Sequence, residues 1–248
     1  MRQITQRWVV IAVVAAVVAV LAGGVVAGLR SGEGSPEAQP SPTTAGSPSA
    51  DDGSAPGPGA CSAPPPLPDD IGAWSRPPTP DLATGTWRAT LHTNCGDIVL
   101  ELYGDKAPQT VSSFVFLARH GFYQSSPCHR LVTQGIFVLQ CGDPTGTGTG
   151  GPGYGYGIEN APSDGRYPRG TVAMARTADP NTNGSQFFIV YDDTRLPTAG
   201  GGYTVFGRVV EGMSIVDRIA RQGTGGALGP EAPRQPISIL GVEVSKQG

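Results

Sequence analysis

Histidine is scarce: there are three in 248 residues, at positions 92, 120 and 129. They are too few and too scattered for a triad or a metal cluster, and Ser185 has no evident base, so a hydrolase is not expected. Charge is sparse as well. Lys and Arg number 17 against 20 Asp and Glu, a formal net charge of −3 without a dense basic patch, which leaves no electrostatic case for nucleic acid. The chain has no G-K-[ST] phosphate loop. It does have G-x-G-x-x-G at Gly146, Gly148 and Gly151, but Pro-Gly-Tyr-Gly-Tyr-Gly follows. That run cannot open the helix on which a pyrophosphate would sit. The glycines are therefore expected to form a long surface connection beside a site, with several positive-φ positions.

Two segments lack what a folded domain needs. Trp8 to Leu29, WVVIAVVAAVVAVLAGGVVAGL, contains no charge. It has the length of a membrane-crossing helix, roughly 20 apolar residues, and exceeds the apolar core of a secretory signal. It reads as a retained anchor (residues 1–30), with cleavage near Val25-Val26-Ala27 as the alternative. No cysteine follows the Leu-Ala-Gly-Gly at 21–24, so a lipid-modified terminus is not expected. Arg2 and Arg7 precede the run, which favours an N-terminus inside and the remainder outside. Residues 31–80 are rich in Pro, Ser and Gly and nearly devoid of apolar bulk, as expected of a disordered tether, with Leu67 and Trp74 docking its end.

Cysteine is limited to positions 61, 95, 128 and 141. An even count outside the cytoplasm favours disulfides, and four cysteines allow three pairings. Cys128 and Cys141 flank one expected hairpin, which favours Cys128–Cys141 with Cys61–Cys95. A zinc site on Cys128, His129 and Cys141 is disfavoured, because adjacent strand residues point to opposite faces.

From Thr86 onward the pattern is globular. Strands are expected at 86–93, 97–103, 128–132, 136–141, 171–176, 186–191, 203–210 and 236–244. Helices are expected after Pro108 and over 211–222. Strands and helices do not alternate, so a closed antiparallel barrel of eight strands with two capping helices fits better than a doubly wound sheet. The domain is expected to span 81–248.

Three segments resemble the cyclophilin family of peptidyl-prolyl isomerases. CHRLVTQGIFVLQCGDPTGTGTGGPGYGYG (128–157) is similar to the family's F-H-R…F-M-x-Q-G-G-D…G-T-G-x-G-G run. GTVAMARTADPNTNGSQFFIVY (170–191) contains N-T-N-G-S-Q-F-F-I, a near-verbatim signature. YTVFGRVVEGMSIVDRI (203–219) is the third, and DKAPQTVSSF (105–114) falls where the family's first helix begins. The likeness covers roughly 86–246. It implies an eight-stranded barrel with a prolyl pocket on its outer face and Arg130 as the catalytic arginine. Phe137, Val138, Phe188 and Leu196 would line the pocket. Gln140 and Gln186 would bond the substrate backbone and hold Arg130, and Ala175 would offer backbone groups to an extended peptide. Tyr203 stands where many members carry histidine.

The departures are specific. Val138 replaces Met, Arg176 replaces a substrate-contacting Asn, and Arg195 precedes Leu196 where cyclosporin-sensitive members carry Trp, which puts strong cyclosporin inhibition in question. The hairpin from Arg130 to Gln140 is two residues longer than usual, and the loop from Leu196 to Tyr203 is also longer. A tight turn at Gln134-Gly135 would set Arg130 opposite Leu139 and turn Arg130 and Gln140 to opposite faces, so a bulge or shifted turn is needed. The resemblance implies an isomerase needing no cofactor or metal, monomeric and acting on proline-containing segments of unfolded exported proteins. A proline-binding module without turnover is the alternative.

Overall fold

A computed structural model describes residues 60–248. The apolar run at 8–29 and most of the 31–80 segment lie outside the described residues. Among those described, no helix is long and apolar enough to cross a membrane.

The strands are β1 (Thr86–Thr93), β2 (Gly96–Tyr103), β3 (Ser126–Pro127), β4 (Arg130–Val132), β5 (Val138–Cys141), β6 (Arg166–Tyr167), β7 (Thr171–Met174), β8 (Phe187–Val190), β9 (Thr194–Arg195), β10 (Val205–Glu211), β11 (Thr224–Gly226), β12 (Gly229–Pro233) and β13 (Ser238–Lys246). The α-helices are α1 (Pro108–Arg119) and α2 (Met213–Gln222). Nine strands form one curled antiparallel sheet in the order β3-β13-β1-β2-β10-β7-β8-β5-β4, rather than the eight of a closed barrel. The extra strand comes from a break. The expected strand at 128–132 begins only at Arg130 as β4, which pairs with β5, and beyond Cys128-His129 the unforeseen β3 pairs with β13. The two edges of the sheet are thus consecutive in the chain and joined by two residues.

Alternation explains the interior. On β1, Trp87, Ala89, Leu91 and Thr93 are buried while the residues between them are not. On β2, Ile98, Leu100 and Leu102 face the same core. Pro108 starts α1, whose Phe114 packs against Tyr123, Phe187 and Phe206 with ring centroids 5.0, 5.8 and 5.6 Å apart. The N–H groups of Gln109 and Thr110, which have no partner within the helix, donate to the Glu159 carboxylate at 2.9 and 2.8 Å.

Strands β7 and β8 break the alternation: all eight of their residues are buried. Continuous burial means that both faces are covered. Phe187 and Ile189 belong to the interior core, whereas Phe188 and Val190 join a second cluster with Val138, Tyr167, Ala173 and Leu196. That cluster lies on the opposite face of the sheet.

The residues before β1 are not loose. Cys61 is bonded to Cys95, and Ser62 N–H donates to the Asn94 carbonyl at 2.8 Å. Trp74 stands edge-on to Phe116 at 5.3 Å, and its N–H donates to the Pro152 carbonyl at 2.8 Å. Leu67 remains 42% exposed. Residues 61–78 therefore form a strap on the domain, held by a disulfide and an aromatic anchor.

His129 occupies the joint between the sheet edges. It is buried, and neither ring nitrogen has a protein partner. Burial pushes its pKa down, outweighing the pull of nearby Asp143. The unfolded chain therefore takes up the proton more readily than the folded one. The resulting stability is fully present above the unfolded value of about 6.5 and is lost as pH falls below it, at up to about 1.4 kcal/mol per pH unit. His92 has the opposite sign, since its hydrogen bond to Asp97 raises its pKa, but it is exposed and contributes little. Urea unfolding of the full chain should show stability falling from pH 7 to pH 5, and His129→Gln should flatten that slope. An unaltered slope in the variant would remove His129 as its cause.

Candidate active site

The β4–β5 hairpin sets the site. Its register pairs Arg130 with Gln140, Leu131 with Leu139 and Val132 with Val138. Directly paired residues of an antiparallel ladder share a face, so Arg130 and Gln140 project together. The turn is shifted from the expected tight one: residues 133–137 form the connection. Tyr191 ties both ends of it. Its N–H donates to the Phe137 carbonyl at 3.0 Å and its hydroxyl to the Val132 carbonyl at 2.6 Å. Thr194 Oγ1 accepts from the Phe137 N–H at 3.0 Å. The two additional residues thus loop over the end of β8 without disturbing the ladder. Cys128 and Cys141 are bonded to each other all the same, because the break at Cys128-His129 frees Cys128 from the hairpin register.

Arg130 stands over a cavity of about 130 Å³ on the outer face, lined by Ile136, Val138, Gln140, Ala175, Arg176, Phe188, Leu196 and Tyr203. Ile136, Val138, Phe188 and Leu196 supply an apolar wall, and Tyr203 meets Phe188 edge-on at 5.8 Å. Phe137, expected in this wall, is outside it and packs against Tyr191 at 5.9 Å. Ile136 takes that place from the connection ahead of β5.

The guanidinium is held on two sides. Its Nη1 donates to Gln140 Oε1 at 3.4 Å, and its Nε donates to Glu231 Oε2 at 2.8 Å. Gln140 Nε2 donates to Gln186 Oε1 at 2.8 Å, and Gln186 Nε2 donates to the Gly148 and Gly150 carbonyls at 3.0 and 2.9 Å. Gln186 thus has its amide bonded to Gln140 and the glycine loop. The N–H of Ala175 is likewise taken, donating to the Gln186 carbonyl at 2.9 Å. Glu231, 101 residues from Arg130, gave no sign of itself in the sequence.

Arg176 lies across the top of the cavity. Its Nε, Nη1 and Nη2 donate to the carbonyls of Gly202, Thr177 and Gly200 at 2.8, 2.8 and 3.2 Å, and its guanidinium stacks on the Tyr203 ring at 4.9 Å. This side chain is a fixed wall. It also borders a second cavity of about 350 Å³, lined by Gly148–Pro152, Thr182 and Gln186 among others. Arg195 is exposed on β9 and lies outside the lining of the smaller cavity.

The glycine loop has its own anion. Asp143 accepts from the N–H groups of Thr145, Gly148 and Gly150 and from the Thr145 hydroxyl, at 2.6 to 3.1 Å. Burial raises its pKa, and these hydrogen bonds outweigh that, leaving the carboxyl below its ordinary value. The donors that a phosphate would need are already engaged. Among the described residues, no His, Cys, Asp and Glu group is arranged to hold a metal ion.

Relatives share this arrangement of segments. The family described as "Cyclophilin type peptidyl-prolyl cis-trans isomerase/CLD" matches residues 88–244. The chain is similar to "Probable peptidyl-prolyl cis-trans isomerase B" of Mycobacterium tuberculosis, 42% identical over 163 residues, covering 60% of this chain and 52% of that protein. It spans about half the length of such mycobacterial relatives. It is also 38% identical over 165 residues to "Peptidyl-prolyl cis-trans isomerase B" of Escherichia coli, covering 63% of this chain and 99% of that one. A cyclophilin-type isomerase structure from Cryptosporidium parvum superposes with a TM-score of 0.56 at 30% identity, over 66% of this chain and 100% of that one. The fold, the segments and their order together make the chain a member of the cyclophilin-type peptidyl-prolyl cis-trans isomerase family.

Proposed function

We propose that the chain accelerates cis–trans rotation of X-Pro bonds in extended segments of unfolded proteins. The observation that carries this reading is Arg130, paired with Gln140 and poised over an apolar cavity. The uncatalysed barrier is about 18–20 kcal/mol, because amide resonance must be broken. Rotation needs neither a covalent intermediate nor proton transfer. The site must bind the twisted amide better than either planar form, and a million-fold gain corresponds to about 8 kcal/mol of such preference.

The residues divide that work. Ile136, Val138, Phe188 and Leu196 grip the ring, so the preceding carbonyl is the part that swings. Twisting returns a lone pair to the proline nitrogen. A guanidinium N–H of Arg130 donates to it, and the charge strengthens the bond as the lone pair develops. Arginine stays protonated across the working range, so the donor is constant. Gln140 keeps the fork turned toward the cavity. The glycine loop acts through Gln186 on Gln140, as a support three hydrogen bonds away from Arg130.

The setting we propose is extracytoplasmic. The apolar run at Trp8–Leu29, preceded by Arg2 and Arg7, supports a single-pass anchor with its N-terminus inside. Two disulfides support an oxidising compartment on the domain's side. Exported, unfolded chains are the substrates this location offers, and since one chain supplies every residue of the site, a monomer suffices.

With a short X-Pro reporter peptide, Arg130→Ala in the full chain should lower kcat/KM at least tenfold while leaving the circular dichroism spectrum unchanged. Undiminished turnover would remove Arg130 from the mechanism, and peptide binding without acceleration by the unsubstituted chain would favour a binding module. Wild-type activity should be flat between about pH 6 and 8, because no group in contact with the peptide titrates there. A bell-shaped profile centred near 7 would contradict this.

A further inference from the structure

We infer that Glu231 is a positioning residue for Arg130, holding its guanidinium edge so that the free N–H groups face the prolyl cavity before a peptide arrives. The inference rests on the isomerase reading of Arg130 and adds to it a partner from outside the main sheet.

Arg130 is 36% exposed at its side chain, and arginine has enough rotatable bonds to leave such a site empty much of the time. Gln140 restrains it through one long contact of 3.4 Å. The shorter bond, at 2.8 Å, runs from Nε to Glu231. Nε lies at the root of the planar fork. Fixing it sets the direction of the plane, whereas a bond to one terminal nitrogen still allows swivelling. The two bonds together leave Nη2 and the remaining Nη1 hydrogen for the cavity.

The strand that carries Glu231 is itself held in place. Strand β12 pairs with β11 through Thr224 opposite Pro233 and Gly226 opposite Gly229. Ala232, next to Glu231, is buried, and the Arg234 N–H donates to the Gly223 carbonyl at 2.8 Å. Glu231 is 67% exposed, so the pair adds little to folding stability. Its value lies in orientation: a group that starts in the productive geometry does not lose that freedom in the transition state.

The test is a set of full-chain variants, Glu231→Ala and Glu231→Gln, each alone and combined with Arg130→Ala. Turnover and dissociation constant are measured on an Ala-Pro reporter peptide, and the Arg130 Nε–Hε signal is followed by NMR. Glu231→Ala should lower kcat/KM about three- to tenfold with peptide affinity within about twofold, since orientation is lost and the apolar grip is kept. Glu231→Gln keeps an acceptor without the charge and should recover part of the loss. The Hε proton should exchange faster with solvent in Glu231→Ala, and Glu231→Ala should have no effect in the Arg130→Ala background.

Full activity in Glu231→Ala, or an unmoved Nε–Hε signal, would overturn the inference while leaving the role of Arg130 intact. An equal loss in both backgrounds would also overturn it, by showing that Glu231 acts elsewhere. Full activity in Arg130→Ala alone would overturn both this inference and the reading beneath it.

Discussion

The pairing of Arg130 with Gln140 across β4 and β5 is the constraint on which the site depends. Side-chain direction in a strand has a period of two, so a slip of one residue would send one of them into the core and the other to solvent. The five-residue connection at 133–137 prevents that slip, because Tyr191 and Thr194 hold the backbone at its ends by hydrogen bonds. The same register puts Leu139 inside and Val138 outside, dividing the apolar residues between core and cavity wall.

That division extends across three strands. An ordinary half-exposed sheet would leave Phe188 and Val190 facing water. Here the segments carrying Tyr167 and Leu196 cover them, and the cavity is the gap left in that cover. Support for the polar half comes from the glycine loop. Its carbonyls hold Gln186, its N–H groups hold Asp143, and Trp74 of the strap bonds to Pro152 at its far end. A Cβ at Gly150 would lie 2.1 Å from the Asp143 carboxylate, so glycine is required there by close approach.

Much of this was legible in the chain, and the failures have physical causes. The long strands β1 and β13 alternate over enough residues to announce themselves, β2 does so in part, and Pro108 marks α1. Two-residue strands such as β3, β6 and β9 have no period to read. The break at Cys128-His129 was invisible because neither residue breaks a strand by itself; it is where the chain passes from one edge of the sheet to the other. Arg130, Val138, Gln140 and Phe188 fell within motifs, and Leu196 was placed by its position between two of them. Phe137 was placed by analogy with a shorter hairpin, and the conformation of the 133–137 connection brings Ile136 to the wall instead. The commitments of Arg176, Gln186 and the Ala175 N–H to nearby backbone or side-chain groups depend on loop conformations that no local pattern encodes. Nor does any pattern place Glu231 beside Arg130.

The central claim is that an oriented guanidinium fork, more than positive charge alone, stabilises the twisted amide. Arg130→Lys separates the two, because lysine keeps the charge but offers a compact ammonium without the planar fork. The measurement is the exchange rate between cis and trans forms of a proline peptide, read by NMR at matched saturation. Arg130→Lys should retain less than about a tenth of wild-type acceleration, with the peptide still bound. Turnover close to wild type would show that a nearby positive charge is enough, and would contradict the role given to the Arg130–Gln140 register.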